Sequence, residues 1–374
     1  MASQRKWSPL FVLLVLASCI FSATAANANP SVRKGVWGPA HLANGKSALP
    51  TYRELRVGLY STSISWRMAA RTRPSDPTDP NDAVYRWPKS IVADVAAATA
   101  AGMQVSIGIK YSPPWASASR KSRFCAPEDP GDYARFLVAA SRRFPSVHLW
   151  QVWGEPSRNR SFIACVAAGP TSYLVPDPAS TRLNATQATA PQAYARLVEA
   201  TYKALKAENR RNLIIGGSTY TGGDIRTLLW IRYMRLPNGR PPRMDLYGHN
   251  PFPLRKPDLS NRPSTNGRYD FSDLRRLESV VTKYLGTPHH KTRIPLFLAE
   301  FCIPTGPDRE FNGHVSLATQ ASWIKSALAI TRSRRDNFIH SMSWIHLQDN
   351  QFSSCGLIDA KGQPKPGYWQ FRSG

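Results

Sequence analysis

Runs rich in Val, Ile and Leu alternate with amphipathic stretches along nearly the whole chain, and this alternation restricts the fold more than any other feature. The apolar runs predict eight strands, at residues 35–37, 55–64, 104–109, 147–152, 212–216, 244–248, 296–299 and 341–345. Helical periodicity falls between them, at 88–101, 132–144, 190–208, 225–234, 273–285 and 317–332. Pro88 suits a first helical turn, Gly102 a helix C-terminus and Asp224 an N-cap. Strand and helix in strict alternation build a parallel sheet. With 374 residues, no internal repeat and no Pro/Gly-rich linker, the pattern predicts a (β/α)8 barrel as one domain over residues 29–374. The loops at 73–82 and 255–268 follow the second and sixth strands, so they belong at the C-terminal face, where barrels bind ligands.

The chain opens with Arg5-Lys6, an apolar stretch from 10 to 21 and small residues at 23–28, the layout of a cleaved secretory leader at residues 1–28. That stretch is shorter than the about 20 residues a bilayer-spanning helix needs. Leu16-Ala17-Ser18-Cys19 also resembles a lipoprotein signal, but Ile20 and Phe21 carry the apolar run past Cys19, which favours a secreted product over a lipid anchor. Four cysteines remain: Cys125, Cys165, Cys302 and Cys355. They allow three pairings, and without any C-x-x-C spacing they read as disulfides of an oxidising compartment. In a parallel barrel consecutive strands are neighbours. Cys125 and Cys165 follow strands three and four, and Cys302 and Cys355 follow strands seven and eight, so those pairs are expected to bridge.

The formal net charge of +25 suits an acidic polysaccharide or an anionic cell wall, and an arginine-rich coding background would produce it equally well. The basic residues are scattered and no nucleic-acid motif accompanies them, so no nucleic-acid partner is expected, nor is a stable protein partner implied. Neither H-E-x-x-H nor G-x-S-x-G occurs, and neither a metal nor another cofactor is expected.

Of eight glutamates, Glu199, Glu208 and Glu278 fall in helical patterns and Glu54, Glu128 and Glu310 in polar surroundings, the positions of solvated side chains. Only Glu155 and Glu300 end apolar, strand-like runs, by this count strands four and seven. Two carboxyl groups converging from different strands are what glycoside hydrolysis with retention requires.

Around them lie Trp150-Gln151-Val152-Trp153-Gly154-Glu155-Pro156 and Leu298-Ala299-Glu300-Phe301. With Tyr111-Ser112-Pro113-Pro114-Trp115-Ala116 and Gly356-Leu357-Ile358-Asp359 followed by Gly362-Gln363-Pro364-Lys365-Pro366, these segments resemble clan A of the glycoside hydrolases, near families 5 and 39. The resemblance spans roughly residues 33–372. It implies a retaining glycosidase in which Glu155 is the acid/base and Glu300 the nucleophile. Two positions depart from the clan pattern: Gly154 replaces an asparagine that contacts the sugar 2-hydroxyl, and Phe252 a tyrosine that bonds the nucleophile, a role open to Asn250. A catalytically weak or inert carbohydrate-binding barrel is the alternative.

Sugars present apolar C–H faces, so aromatic residues near the strand ends are candidate platforms: Trp344 after strand eight, Trp115 after strand three and Trp66 after strand two. His249 and Asn250 after strand six, and Gln348 and Asp349 after strand eight, are candidate hydroxyl contacts. Arg158 and Arg160 stand where they could pair with a carboxylate or face an acidic sugar.

Overall fold

The computed structural model describes residues 33–117, 122–158, 161–162, 176, 180–286, 293–308 and 313–374. The leader, Cys165 and Arg160 lie outside the described residues. Residues 32–374 form one compact unit.

Eight strands close into a parallel barrel in which each pairs with its sequence neighbours and the last with the first. They are β1 (Arg33–Trp37), β2 (Leu59–Ser65), β3 (Gln104–Lys110), β4 (Leu149–Val152), β5 (Leu213–Tyr220), β6 (Leu246–Asn250), β7 (Leu296–Phe301) and β8 (Ile339–Ile345). The helices are α1 (Leu49–Glu54), α2 (Trp66–Ala69), α3 (Lys89–Ala100), α4 (Pro130–Arg143), α5 (Ala185–Glu208), α6 (Thr227–Tyr233), α7 (Leu274–Leu285), α8 (Leu317–Arg332) and α9 (Pro366–Ser373). The expected (β/α)8 barrel is therefore the fold.

Local chemistry sets the helix ends. Asp129 caps α4 by accepting from Gly131 N, Pro130 occupies its first turn, and Arg142 and Arg143 lie at its carbonyl end. Asn184 and Gln187 form a reciprocal capping box that starts α5 earlier than its apolar periodicity does. Gly102, with φ 77°, follows α3 in the left-handed conformation that ends helices. Asp224 is not a cap, because α6 starts at Thr227 with Arg226 before it. Pro88 is the N-cap of α3 and not part of its first turn. The second strand starts at Leu59, not at 55: Leu55 ends α1 and Arg56, with φ 56°, turns the chain into the strand.

Alternation along the strands sorts the side chains into two cores. Leu59, Leu149, Ile215, Leu246, Phe297 and Ala299 form a small cluster contributed by β2, β4, β5, β6 and β7, and it fills the barrel interior. Their neighbours Tyr60, Trp150, Ile214, Tyr247 and Leu298 belong to the large cluster between sheet and helices. Above the inner plug the interior turns small and polar, with Ser61, Ser106, Gln151 and Ser343 buried. The cavity at the C-terminal mouth opens beyond that layer.

Candidate active site

Glu155 and Glu300 line one cavity of about 530 Å³. Two different irregularities bring them there. Leu298 packs outward and Ala299 inward, so strict alternation would turn Glu300 outward with Leu298. The register between β7 and β8 shifts between Leu298 and Phe301. This bulge lets two successive residues, Ala299 and Glu300, face inward while Phe301 returns to the outer core. Glu300 is 8% exposed.

Glu155 stands on a turn past the end of β4. Trp153 (φ 62°) and Glu155 (φ 48°) are both left-handed, a conformation that costs a non-glycine residue about 1–3 kcal/mol and needs support from its surroundings. The support is visible: Trp153 N donates to Tyr133 Oη (3.0 Å), Trp153 Nε1 donates to Ser161 O (2.6 Å), and Ser161 Oγ donates to Gly154 O. Asn250 Nδ2 donates to Glu155 Oε1 (2.9 Å) and Arg158 Nη1 to Oε2 (2.7 Å). Both carboxyl oxygens are thus held, from β6 and from the turn itself. Tyr111 (φ 70°) and His346 (φ 63°) are left-handed as well and line the same cavity.

Asn250 therefore serves Glu155 and not, as expected, the glutamate of β7. Phe252 lines the cavity and packs edge-on against Tyr220 at 5.5 Å. It offers no hydroxyl there.

The remaining candidates do not converge. His249 is fully buried on the other face of β6: Nδ1 meets Thr219 Oγ1 (2.8 Å) and Nε2 meets Tyr269 O (2.8 Å). Burial lowers its pKa from 6.5 to about 4, so it is a neutral structural group. Trp344 is also fully buried, against Phe301 and with Nε1 donating to Cys355 O (2.9 Å). It braces the chain beyond Glu300 and presents no ring to the cavity; Ile345 lines the cavity instead. Trp66 is enclosed by Trp115, Tyr133 and Phe136. Trp115 donates to Ala70 O (2.8 Å) under the Arg73 guanidinium and lies off the cavity lining. Asp349 is paired with Lys365 (2.6 Å) and accepts from Gly356 N, and Gln348 bonds Ala43 N, so both fasten the chain after β8.

Cys302 and Cys355 are bridged, with Cα atoms 5.6 Å apart, and both border the cavity. Cys125 is also disulfide-bonded. Its expected partner Cys165 lies outside the described residues, so that pairing is not visible.

Residues not singled out in the sequence complete the walls: Trp37, Lys110, Arg123 and Phe124. Lys110 was readable, since Ser106, Gly108 and Lys110 share the inner face of β3. A second cavity of about 670 Å³ shares Arg158, Phe252 and Cys302 with the first.

No protein-family model matches the chain, and no curated protein matches it by sequence. Solved structures do share its architecture. A family 39 glycoside hydrolase from the gut symbiont Bacteroides cellulosilyticus WH2 aligns over 92% of this chain and 64% of its own, with TM-score 0.60 and 16% identity. A GH39 enzyme from Xanthomonas axonopodis pv. citri aligns over 92% and 66%, with TM-score 0.60 and 15% identity. A GH39 β-xylosidase from Caulobacter crescentus aligns over 91% and 70%, with TM-score 0.59 and 16% identity. The likeness is one of fold, and the chain spans about two thirds of the length of these proteins.

Proposed function

We propose that this chain is a secreted retaining glycoside hydrolase acting on an oligo- or polysaccharide through Glu300 and Glu155. The observation that carries the reading is the meeting of these two glutamates, from β7 and from the turn after β4, in one cavity at the barrel mouth. Family 39 proteins among the structures of like fold support it. The adjoining cavity beyond Phe252 gives room for a further sugar unit. The secretory pattern of residues 1–28 and the bridged cysteines agree with export.

Glu300 attacks the anomeric carbon and forms a glycosyl ester while Glu155 gives its proton to the departing oxygen. Glu155 then takes a proton from water, and that water displaces Glu300. At rest each oxygen of Glu155 accepts one hydrogen bond, which leaves a lone pair on each for the proton that the acid step transfers.

The test is an activated, fluorinated aryl glycoside that stalls at the covalent stage, followed by peptide mapping, with product configuration read by proton NMR. One label per chain on Glu300 and a product of retained configuration are expected. A label elsewhere or an inverted product rejects the mechanism. Sugar binding without turnover across a panel of aryl glycosides returns the inert carbohydrate-binding barrel.

A further inference from the structure

Gly154 directly precedes Glu155, and the space its missing side chain leaves is filled. A Cβ at this position would lie 2.2 Å from Lys110 Cε and 2.7 Å from Lys110 Nζ. Lys110 is the last residue of β3 and lines the same cavity as both glutamates. Trp37, at the end of β1, steadies it, with the ammonium 5.5 Å from the ring centroid. Among the described residues this ammonium has no hydrogen-bond or ion-pair partner. Arg123, on the loop after β3, also borders the cavity and lies against the Tyr111 and Phe124 rings at 4.7 and 4.9 Å, with no carboxylate on it among the described residues. Arg158, in contrast, is spent on Glu155.

We propose that Lys110, seated in the room left by Gly154, determines specificity in this cavity by selecting a sugar that carries an anionic substituent, a carboxylate or a sulfate ester. The proposal rests on reading the cavity as the sugar site. Glu155, Glu300 and Asp308 share that cavity with the cations, so an anionic substituent is best placed where a cation faces it. The β3 side supplies two such cations, and one of them stands beside the acid/base. A charge-assisted bond from an ammonium to an anionic oxygen is about twice as strong as one to a neutral hydroxyl, which gives discrimination between sugars otherwise alike.

The experiment is calorimetric titration of the full chain and of Lys110→Met, Gly154→Ala, the double variant and Lys361→Met. The probes are oligomers of glucuronic and galacturonic acid, their neutral glucose and galactose counterparts, and O-sulfated forms of the latter. The uronic and sulfated arms separate the two sources of negative charge. The wild type should bind an anionic oligomer at least about 10-fold more tightly than its neutral partner. Lys110→Met should lose roughly 10- to 100-fold for the anionic oligomer and less than about 3-fold for the neutral one. Gly154→Ala should reduce the preference with the lysine still present, because the new Cβ moves its ammonium from its seat, and the double variant should be no worse than Lys110→Met. Lys361→Met, at an exposed turn position that is not among the residues lining the cavity, removes the same unit of charge and should leave the preference intact, which separates the site from the general pull of a chain of net charge +25. Equal affinity for charged and neutral oligomers, no binding of either, or matching losses for Lys110→Met and Lys361→Met overturn the proposal. Anion-selective binding without turnover of any aryl glycoside rejects the hydrolase reading alone.

Discussion

Glu300 is held inside a strand, whereas Glu155 stands on a turn beyond one. Glu300 sits within β7, in the bulge between the paired residues Leu298 and Phe301, and Phe301 is wedged between Phe271 at 4.7 Å and Trp344 at 5.5 Å. One residue further on, Cys302 ties the loop to Cys355. Glu155 has no paired strand residues on both sides of it: its place depends on two left-handed residues and on side-chain bonds from Asn250 and Arg158. The difference matches the two tasks proposed for them, nucleophile for Glu300 and proton carrier for Glu155. A nucleophile must meet one carbon at a fixed approach, so its value lies in immobility. A proton carrier must exchange partners twice in each cycle, and a turn held by replaceable hydrogen bonds permits that.

The contrast can be broken most forcefully at the glutamates themselves. Glu300→Ala is expected to lose roughly 10⁴-fold or more in kcat on every substrate. Glu155→Ala should lose about 10²- to 10⁴-fold where the leaving group needs a proton. It should lose far less on an activated aryl glycoside, with azide restoring turnover. Steady-state kinetics over a leaving-group series checks both, and the opposite pattern would exchange the roles.

Next in size is the bridge behind Glu300. Replacing Cys302 and Cys355 by serine opens a loop of 53 residues and should destabilise the fold by at most about 4 kcal/mol, lowering Tm by up to about 5 °C. If strand placement is what steadies Glu300, kcat measured well below the new Tm should change little. A large fall in kcat there would mean that the disulfide, and not the strand, positions Glu300.

The smallest effect concerns the β6 side, which supports Glu155 through Asn250. His249, next to Asn250, is buried neutral, with its pKa pushed from 6.5 down to about 4. The folded state therefore binds fewer protons than the unfolded state between these values. Its contribution is complete above pH 6.5 and drains away as pH falls toward 4, by about 3 kcal/mol in all. Urea denaturation from pH 7 to pH 4 should show this slope, and His249→Gln should flatten it. His340, pushed to about 4 chiefly by burial, keeps a share of the slope in the variant. An unchanged slope in His249→Gln would remove His249 from the account.

The barrel was legible in the sequence because several of its buried strands are short apolar runs, and runs such as 104–109 and 296–299 announce themselves. The helix α1 was not, since its six residues are too few for a periodic stripe, and the second strand was drawn too early in consequence. Within the site, residue type alone does not say which way a side chain faces. His249 and Asn250 are adjacent on one strand, so only one of them could point inward, and Trp344 shares the outward face of β8 with Met342. Period-two counting would have recovered those errors. It would also have turned Glu300 away, because a bulge between Leu298 and Phe301 leaves no mark in the sequence.

The close fit of Lys110 over Gly154 also couples the two positions in descent. A side chain at 154 and the lysine in its present seat exclude each other, because a Cβ would lie 2.2 Å from Cε. A lineage that gains a larger residue at 154 therefore either swings the free end of the lysine to a new seat or exchanges the lysine for a shorter residue. In both cases one substitution beside Glu155 redraws the charge on the β3 side of the cavity, so a change at 154 is read out at 110.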